Sequence, residues 1–508
     1  LRRTKRAKVF WFFFSKKNTF LSFLFGGCAY AAQASPPVPD AMANQPDPRE
    51  YITRADTNLM ALGNQLRFGG INVSWLGLRS DSGRPVDARL PTDFEIGDAL
   101  KTVQMMGAGY IRVTSLAATA GCAACLMPSV GELNDDTLKH EDHVLKMARD
   151  AGLKIIAPLA GAGTCPADRP IDPVRGTQCV FAHASGLPVS EFYSDPQIRA
   201  AFARHITRLL NHINPETGLA WKDDPTIMAW ENCDLCGAGI DAKTLADWTE
   251  FVGRTIKTVD QRHLYENGAF AGRLGTAAGA VDAAKLALPS VDIIGDHIAP
   301  APGSPPALFT DAQQAVNQAG RAYVIDSYGW TPGEWSTDAD FDAFLAAIVK
   351  NRAVAGAFVS DLGAHASGGG WLAETRPDQT TLYFPSAPTR QVAAAAMEPR
   401  ARAVRRFSYR MMDLPPISFA PAAAPTIISV EHGRVTWQAG TGAVKYSIAR
   451  TNDLITTGSW QTVCDQCATD TNPSWQDPSP PAGPVWYRIT PYNANAHAGV
   501  PSEPVKNK

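Results

Sequence analysis

The sequence predicts an α/β chain, a (β/α)8 TIM barrel over residues 63–412 followed by a small all-β sandwich over 426–508, and three observations predict it. Between Leu66 and Val359 short apolar runs alternate with stretches of helical apolar spacing, and eight strand candidates emerge. One of these runs, Thr226 to Trp230, has no two-residue alternation and is bounded by Pro225 and Gly237, as a strand covered on both faces of a parallel sheet should be. Beyond Met412 the pattern changes to short alternating strands. A chain of 508 residues with 45% hydrophobic content has room for a barrel of about 250–350 residues plus a smaller module.

The N-terminus reads as targeting rather than structure. Arg2, Arg3, Lys5, Arg6 and Lys8 precede apolar runs that end in small residues at Ala32 and Ala34, so 1–34 is predicted to be a secretory signal. Lys16, Lys17 and Asn18 break the apolar stretch, which leaves too little to span a bilayer. Cys28 follows Gly-Gly, but Phe25 fits a lipid-anchor signal poorly. Residues 35–62, rich in Pro, Ala and Asp, are expected to be a linker.

The barrel elements then follow in order. Arg67 to Leu76 is a first strand with Asn72 near its exit, Ile96 to Met106 a helix, and Tyr110 to Val113 a second strand. Asp135 to Ala151 is helical, Lys154 to Leu159 a strand, and Asp195 to Ile213 a long amphipathic helix. After the strand at Thr226 come a helix over Leu245 to Val259 and a strand end carrying Glu266 and Asn267. Val291 to Ile294 leads to Asp296 and His297; Ala322 to Ile325 leads to Asp326, Ser327, Tyr328 and Trp330; Ala357 to Val359 leads to Ser360 and Asp361. In such a barrel chemistry belongs where strands end.

Charge and cysteines narrow the function. A formal net charge of -2 carries no nucleic-acid footprint, and no metal or cofactor is expected. Of nine cysteines Cys28 would leave with the signal, and the rest fall into near neighbours: Cys122/Cys125, Cys165/Cys179, Cys233/Cys236 and Cys464/Cys467. Four disulfides in an exported protein, secreted or periplasmic, are preferred to zinc or redox work, because no His sits at ligand spacing.

The barrel resembles the family 5 glycoside hydrolases, in particular their endo-β-1,4-mannanase branch. The resemblance rests on Gly70-Ile-Asn72-Val-Ser-Trp75-Leu76, Ile111-Arg112-Val113, Phe192-Tyr193-Ser-Asp195-Pro196, Asn214-Pro-Glu-Thr217-Gly218 and Asp223 through Glu231. It implies a polysaccharide or oligosaccharide partner and a monomeric enzyme scaffold. It also implies substrate-binding roles for Asn72, Arg112, His297, Tyr328 and Trp330. Where the pattern requires an acid/base glutamate after strand four, this chain has Leu235, and where it requires the nucleophile on strand seven, it has Ser327. The strand-eight tryptophan position holds Ser360, and His297-Ile298-Ala299 stands for the family's His-x-Tyr.

Retaining glycoside hydrolysis needs two carboxyl groups about 5–5.5 Å apart, and neither leucine nor serine supplies one. Asp234 is the preferred substitute for the acid, on a turn between Cys233 and Cys236; Glu231, Glu266 and Asp296 are further options. Asp326 and Asp361 are expected to face the helix layer if Ser327 and Ser360 face the axis. Trp371, like Trp330, is a candidate to stack on a sugar ring or to lie in the core. The expectation is a catalytically degenerate β-glycan-binding barrel, the alternative a divergent hydrolase with relocated carboxylates.

Beyond a Pro/Ala linker at 413–425, Trp437, Tyr446 and the run Trp486 to Asn493 resemble a fibronectin type III module, with Cys464 and Cys467 stapling a loop.

Overall fold

A computed structural model describes residues 50–508 except 164, 166–169, 269–285, 375–380 and 457. The predicted signal, Cys28 and residues 35–49 lie outside the described residues. Three short strands come first: β1 (Thr53–Ala55), β2 (Asn58–Ala61) and β3 (Asn64–Leu66), paired antiparallel in sequence order. The linker expected over 35–62 is therefore corrected for its last part. Ile52 and Leu59 pack with Phe68, Tyr110, Met228 and Leu264 under the barrel, and this apolar contact holds down a segment otherwise too polar to read as a strand.

Eight parallel strands close the barrel, in agreement with the prediction. They are β4 (Phe68–Asn72), β5 (Tyr110–Arg112), β6 (Lys154–Pro158), β7 (Ile227–Glu231), β8 (Leu264–Asn267), β9 (Ile293–Ile298), β10 (Ala322–Tyr328) and β11 (Val354–Val359). Helices such as Asp93–Met105, Asp135–Asp150, Pro196–Leu210 and Ala242–Val259 connect them. Their starts are set by local chemistry. Thr92 and Glu95 form a reciprocal capping box, and Asp195 accepts from the amides of Gln197 and Ile198 with Pro196 just inside the helix. Phe68, Met228, Leu264, Ile293, Val324 and Phe358 fill the lower interior with apolar side chains. Above that plug the inward positions turn polar, which places the charged groups at the strand ends.

One irregularity decides what faces the interior. The pairing of β10 with β9 runs Ile325 to Asp296 and then Ser327 to His297, so Asp326 is skipped. This bulge breaks the two-residue alternation. Asp326 points inward like Val324 two residues before it, contrary to the expected helix-layer position, and the bulge lets Ser327 reach the mouth as well. Gly295 leaves the space: a Cβ there would collide with the Asp326 carboxyl.

After the helix Ala394–Met411 two antiparallel sheets share one apolar core. The first holds β12 (Thr426–Glu431), β13 (Arg434–Gln438) and β16 (Ser474–Gln476); the second holds β15 (Gln461–Ala468), β14 (Lys445–Thr451), β17 (Trp486–Tyr492) and β18 (Val505–Lys506). The segment 413–425 is strapped down: Arg405 Nη2 donates to the Ile417 carbonyl at 2.7 Å, and Asn493 Nδ2 donates to that of Ala420 at 3.0 Å.

The structure bonds all four predicted cysteine pairs: Cys122 to Cys125, Cys165 to Cys179, Cys233 to Cys236 and Cys464 to Cys467. Cys122 and Cys125 pack with Leu78 beside the barrel, and Cys179 is buried on the helix Thr177–Ser185, which its bond ties to the connection after β6. Cys464 and Cys467 lie within the strand β15 rather than in the expected loop, and that expectation is corrected.

The sheets dock on the barrel through a buried Asp-His-Asp group. His365, beyond β11, lies 3.0 Å from Asp98 Oδ2 on the helix Asp93–Met105 and 3.5 Å from Asp470 Oδ2 of the sheet region. Thr441 Oγ1 donates to Asp98 Oδ1 at 2.7 Å, and Tyr446 OH and Trp437 Nε1 donate to Asp470. Although burial lowers the His365 pKa, the two carboxylates lift it to about 10. Trp371 stacks on this imidazole with centroids 3.8 Å apart. That contact puts Trp371 at the docking surface.

Candidate functional site

The mouth of the barrel holds a cavity of about 130 Å³ lined by Asn72, Ser74, Arg112, Thr114, Arg175, Asp234, Leu235, His297, Ser327 and Ser360. A larger groove of about 410 Å³, between the helices Asp338–Lys350 and Ala394–Met411, is lined mainly by alanines, apolar side chains and surface arginines. It lies on the helix layer, far from the strand ends where this fold assembles chemistry, and the smaller cavity is the candidate site.

Arg112 on β5 organises it. Its Nε donates to Glu231 Oε2 at 2.7 Å, and its Nη2 donates to Glu231 Oε1 at 2.6 Å and to Asp234 Oδ1 at 2.7 Å. Nη1 reaches Asn72 Oδ1 at 3.4 Å, and Asn72 Nδ2 donates to the Asp326 carbonyl at 2.8 Å, tying β4 to the bulge on β10. The planar fork of arginine suits such bidentate work, which lysine could not do. Asp234 is positioned by backbone as well: its amide donates to the Ala160 carbonyl at 2.8 Å, and its carbonyl accepts from Ala162 at 3.0 Å. Leu235 follows with φ at +63°, a left-handed turn that a branched residue resists, between the bonded Cys233 and Cys236.

Four carboxyls surround this one guanidinium, and the structure divides them into two kinds. Burial pushes the Asp234 carboxyl up, but Arg112, His297 and Arg175 together pull it further down, well below the usual carboxylate range. Burial raises Glu231 against the opposing pull of Arg112. Below them, burial and the charge on Glu231 lift Glu266 to about 8, with a hydrogen bond from Asp326 opposing. Burial and Glu266 push Asp326 well above its ordinary value. Burial and neighbouring negative charge thus favour the protonated forms of Glu266 and Asp326, and neither lines the cavity.

The cavity therefore gathers most of the residues singled out in the sequence: Asn72, Arg112, Asp234, Leu235, His297, Ser327 and Ser360. It excludes two. Tyr328 is fully buried among Phe341, Phe344 and Phe407 in the helix layer, because the bulge at Asp326 lets Ser327 take the inward place and sends the next side chain out. Trp330 is fully buried in the same core, its carbonyl accepting from Arg400 Nη1 at 2.6 Å. The substrate-binding roles expected for Tyr328 and Trp330 are corrected accordingly. Asp361 also points elsewhere, its Oδ1 accepting from the Ser74 amide at 3.0 Å, and Asp296 accepts from Tyr323 OH at 2.9 Å. Of the bonded cysteines only Cys233 and Cys236 flank the lining; Cys122, Cys125, Cys165 and Cys179 staple the surrounding connections and do not reach the cavity.

Sequence reasoning missed Arg175, Ser74 and Thr114. Arg175 comes from the connection after β6, which has no apolar period and no motif to mark it. Among the described residues its guanidinium makes no ion pair, so it brings positive charge to the cavity wall.

Comparison with known proteins agrees with the barrel fold. The family described as GH family 5 beta-mannosidase-like matches residues 169–302. Over part of its length the chain is similar to mannan endo-1,4-beta-mannosidases. Mannan endo-1,4-beta-mannosidase 1 of Oryza sativa subsp. japonica is 28% identical over 225 residues, 43% of this chain and 48% of that protein. Mannan endo-1,4-beta-mannosidase 7 of Arabidopsis thaliana is 33% identical over 149 residues, 28% of this chain and 33% of that protein. The chain spans about half the length, or less, of the curated relatives it matches. The endo-beta-1,4-mannanase from Thermotoga petrophila superposes with a TM-score of 0.53 at 15% identity, covering 88% of this chain and 98% of that one. The endo-1,4-beta-mannanase from Rhizomucor miehei gives 0.51 at 18%, covering 70% and 100%. At these identities the solved structures establish a shared fold.

Proposed function

We propose that the barrel binds a β-linked hexose polysaccharide and does not cleave its glycosidic bonds. The observation that carries this reading is the cavity lining itself: Leu235 and Ser327 occupy it where the mannanase pattern has its acid/base and its nucleophile. Among the described residues the one carboxyl on the lining, Asp234, is held ionised by Arg112, and a general acid must arrive protonated. The relocated-acid role expected of Asp234 is therefore disfavoured on electrostatic grounds. The protonated forms of Glu266 and Asp326 are favoured, but both lie beneath the lining. Asn72, Arg112 and His297 retain sugar-contacting roles in this reading, with the serine and threonine hydroxyls as further partners. A cavity of about 130 Å³ is smaller than the roughly 300–1,000 Å³ of drug-sized ligand sites, which favours one small polar unit of the chain at a time.

The same reading makes the protein exported, with 1–34 as its signal, and monomeric, with the C-terminal sheets as a fibronectin type III-like module docked on the barrel. A second reading, a divergent hydrolase, is favoured by Asp234 as an ionised carboxylate suited to stabilising positive charge. One experiment separates them. The purified protein is run by affinity electrophoresis in mannan, glucomannan and a soluble cellulose derivative, and the same glycans are assayed for new reducing ends. Retardation without reducing ends is expected; reducing ends abolished by Asp234→Asn would establish the hydrolase.

A further inference from the structure

We infer that Ser327, His297 and Asp234 form an acyl-transfer site that removes a short O-acyl group from a sugar hydroxyl. The sugar part of this substrate rests on the glycan-binding reading; the acyl chemistry does not. Three observations on this molecule support it. Ser327 and His297 are direct register partners on the neighbouring parallel strands β10 and β9, and both line the cavity. Register partners on adjacent strands face the same side about 4.8 Å apart, so a rotamer change brings the hydroxyl within hydrogen-bond reach of the imidazole. Asp234 lines the same cavity, which puts a carboxylate on the wall that the base shares.

The free valences agree. Asp234 gives Oδ1 to Arg112, and among the described residues Oδ2 makes no hydrogen bond. Among the same residues the Ser327 hydroxyl makes none either, so it is left to the cavity. The bulge at Asp326 is what keeps that hydroxyl there, since a regular strand would have turned Ser327 outward. Serine is a poor glycosyl nucleophile, but with a base and an orienting carboxylate it performs acyl transfer.

In the step, Ser327 Oγ attacks the ester carbonyl carbon while its proton passes to His297. The bond between the acyl carbon and the sugar oxygen breaks, and the sugar oxygen takes that proton. Water then attacks the acyl-serine, again losing a proton to His297, and releases a carboxylic acid and free Ser327. Arg175 and Ser360 bring hydrogen-bond donors to the cavity lining for the tetrahedral oxyanion. The cavity volume of about 130 Å³ limits the acyl group to a short one such as acetyl.

The test uses the intact protein with three probes: diisopropyl fluorophosphate, 4-nitrophenyl esters and partly acetylated mannan. The expected results are one phosphoryl adduct on the peptide carrying Ser327, faster hydrolysis of 4-nitrophenyl acetate than of the octanoate, and acetate release from the mannan. Ser327→Ala and His297→Gln, each confirmed folded by circular dichroism, should lose at least about 1000-fold in ester hydrolysis. Absence of an adduct at Ser327 in the folded wild-type protein overturns the inference, as does hydrolysis by His297→Gln at the wild-type rate. Ester hydrolysis without glycan retardation upholds the acyl site and sinks the glycan reading; retardation without any adduct does the reverse.

Discussion

Replacing His365 with glutamine removes the cation held between two buried carboxylates and tests what joins the barrel to the sheets. In the folded protein burial works against the imidazolium, but Asp98 and Asp470 outweigh it and raise the pKa from 6.5 to about 10. At about 1.4 kcal/mol per pH unit this rise is worth about 5 kcal/mol, near the top of the roughly 3–5 kcal/mol that breaking a buried ion pair costs. The Asp98 carboxyl, which His365 draws down against its burial, reports the same interaction and is not added again. Because the folded pKa is the higher one, the contribution is whole below pH 6.5, falls as pH rises, and is gone above about pH 10. Urea denaturation of wild type and His365→Gln from pH 6 to pH 10 isolates this group, since other titrations cancel in the difference. The difference should fall from several kcal/mol at pH 6 to about 1 kcal/mol, the worth of a neutral hydrogen bond, at pH 10. Parallel stability curves across that range would refute the charged pair.

Three further substitutions test the barrel mouth. Arg112→Met leaves Glu231 and Asp234 buried without their cation and should cost about 3–5 kcal/mol in urea denaturation; a loss below about 1 kcal/mol would contradict the pairing. Tyr328→Phe removes a buried hydroxyl with no hydrogen-bond partner among the described residues, so stability should change by less than about 1 kcal/mol and glycan retardation not at all. Lost retardation would return Tyr328 to the site. Gly295→Ala drives a Cβ into Asp326 and should cost about 1–3 kcal/mol, a penalty that shrinks in an Asp326→Ala background if the bulge is as described.

What could be read in advance follows from how each feature is encoded. Barrel strands buried on both faces are continuous apolar runs, so β7 and β10 announced themselves. The strands β1 to β3 did not, because most of their residues are polar or half exposed and their burial depends on the barrel floor beneath them. Cysteine pairs as close in sequence as Cys122/Cys125 and Cys165/Cys179 could be matched by proximity alone, whereas the strand that holds Cys464 and Cys467 could not be told from a loop. Alternation along β10 gave the wrong face for Asp326, since a bulge leaves no mark in a local pattern. Asn72, Arg112 and His297 were recognisable as strand-end polar groups. That Arg112 would take both Glu231 and Asp234, or that His365 would sit between carboxylates far away in the chain, is a matter of tertiary pairing alone.

In the proposed reading, the charge balance at the mouth accounts for a scaffold without the two family acids and for a chemistry that differs. Arg112 compensates Glu231 and Asp234, and the protonated forms of Glu266 and Asp326 are favoured because a further buried anion beside Glu231 would have no counter-charge. Arg175 then stands on the lining without an ion pair among the described residues, next to His297 and a row of hydroxyls. A lining of that kind offers little to an oxocarbenium-like transition state, whose positive charge needs carboxylates close by. It offers more to a developing oxyanion, which needs donors and positive charge. In the proposed reading, a serine where the mannanase pattern has its nucleophile and an arginine on the wall act in the same direction, from glycosyl towards acyl chemistry.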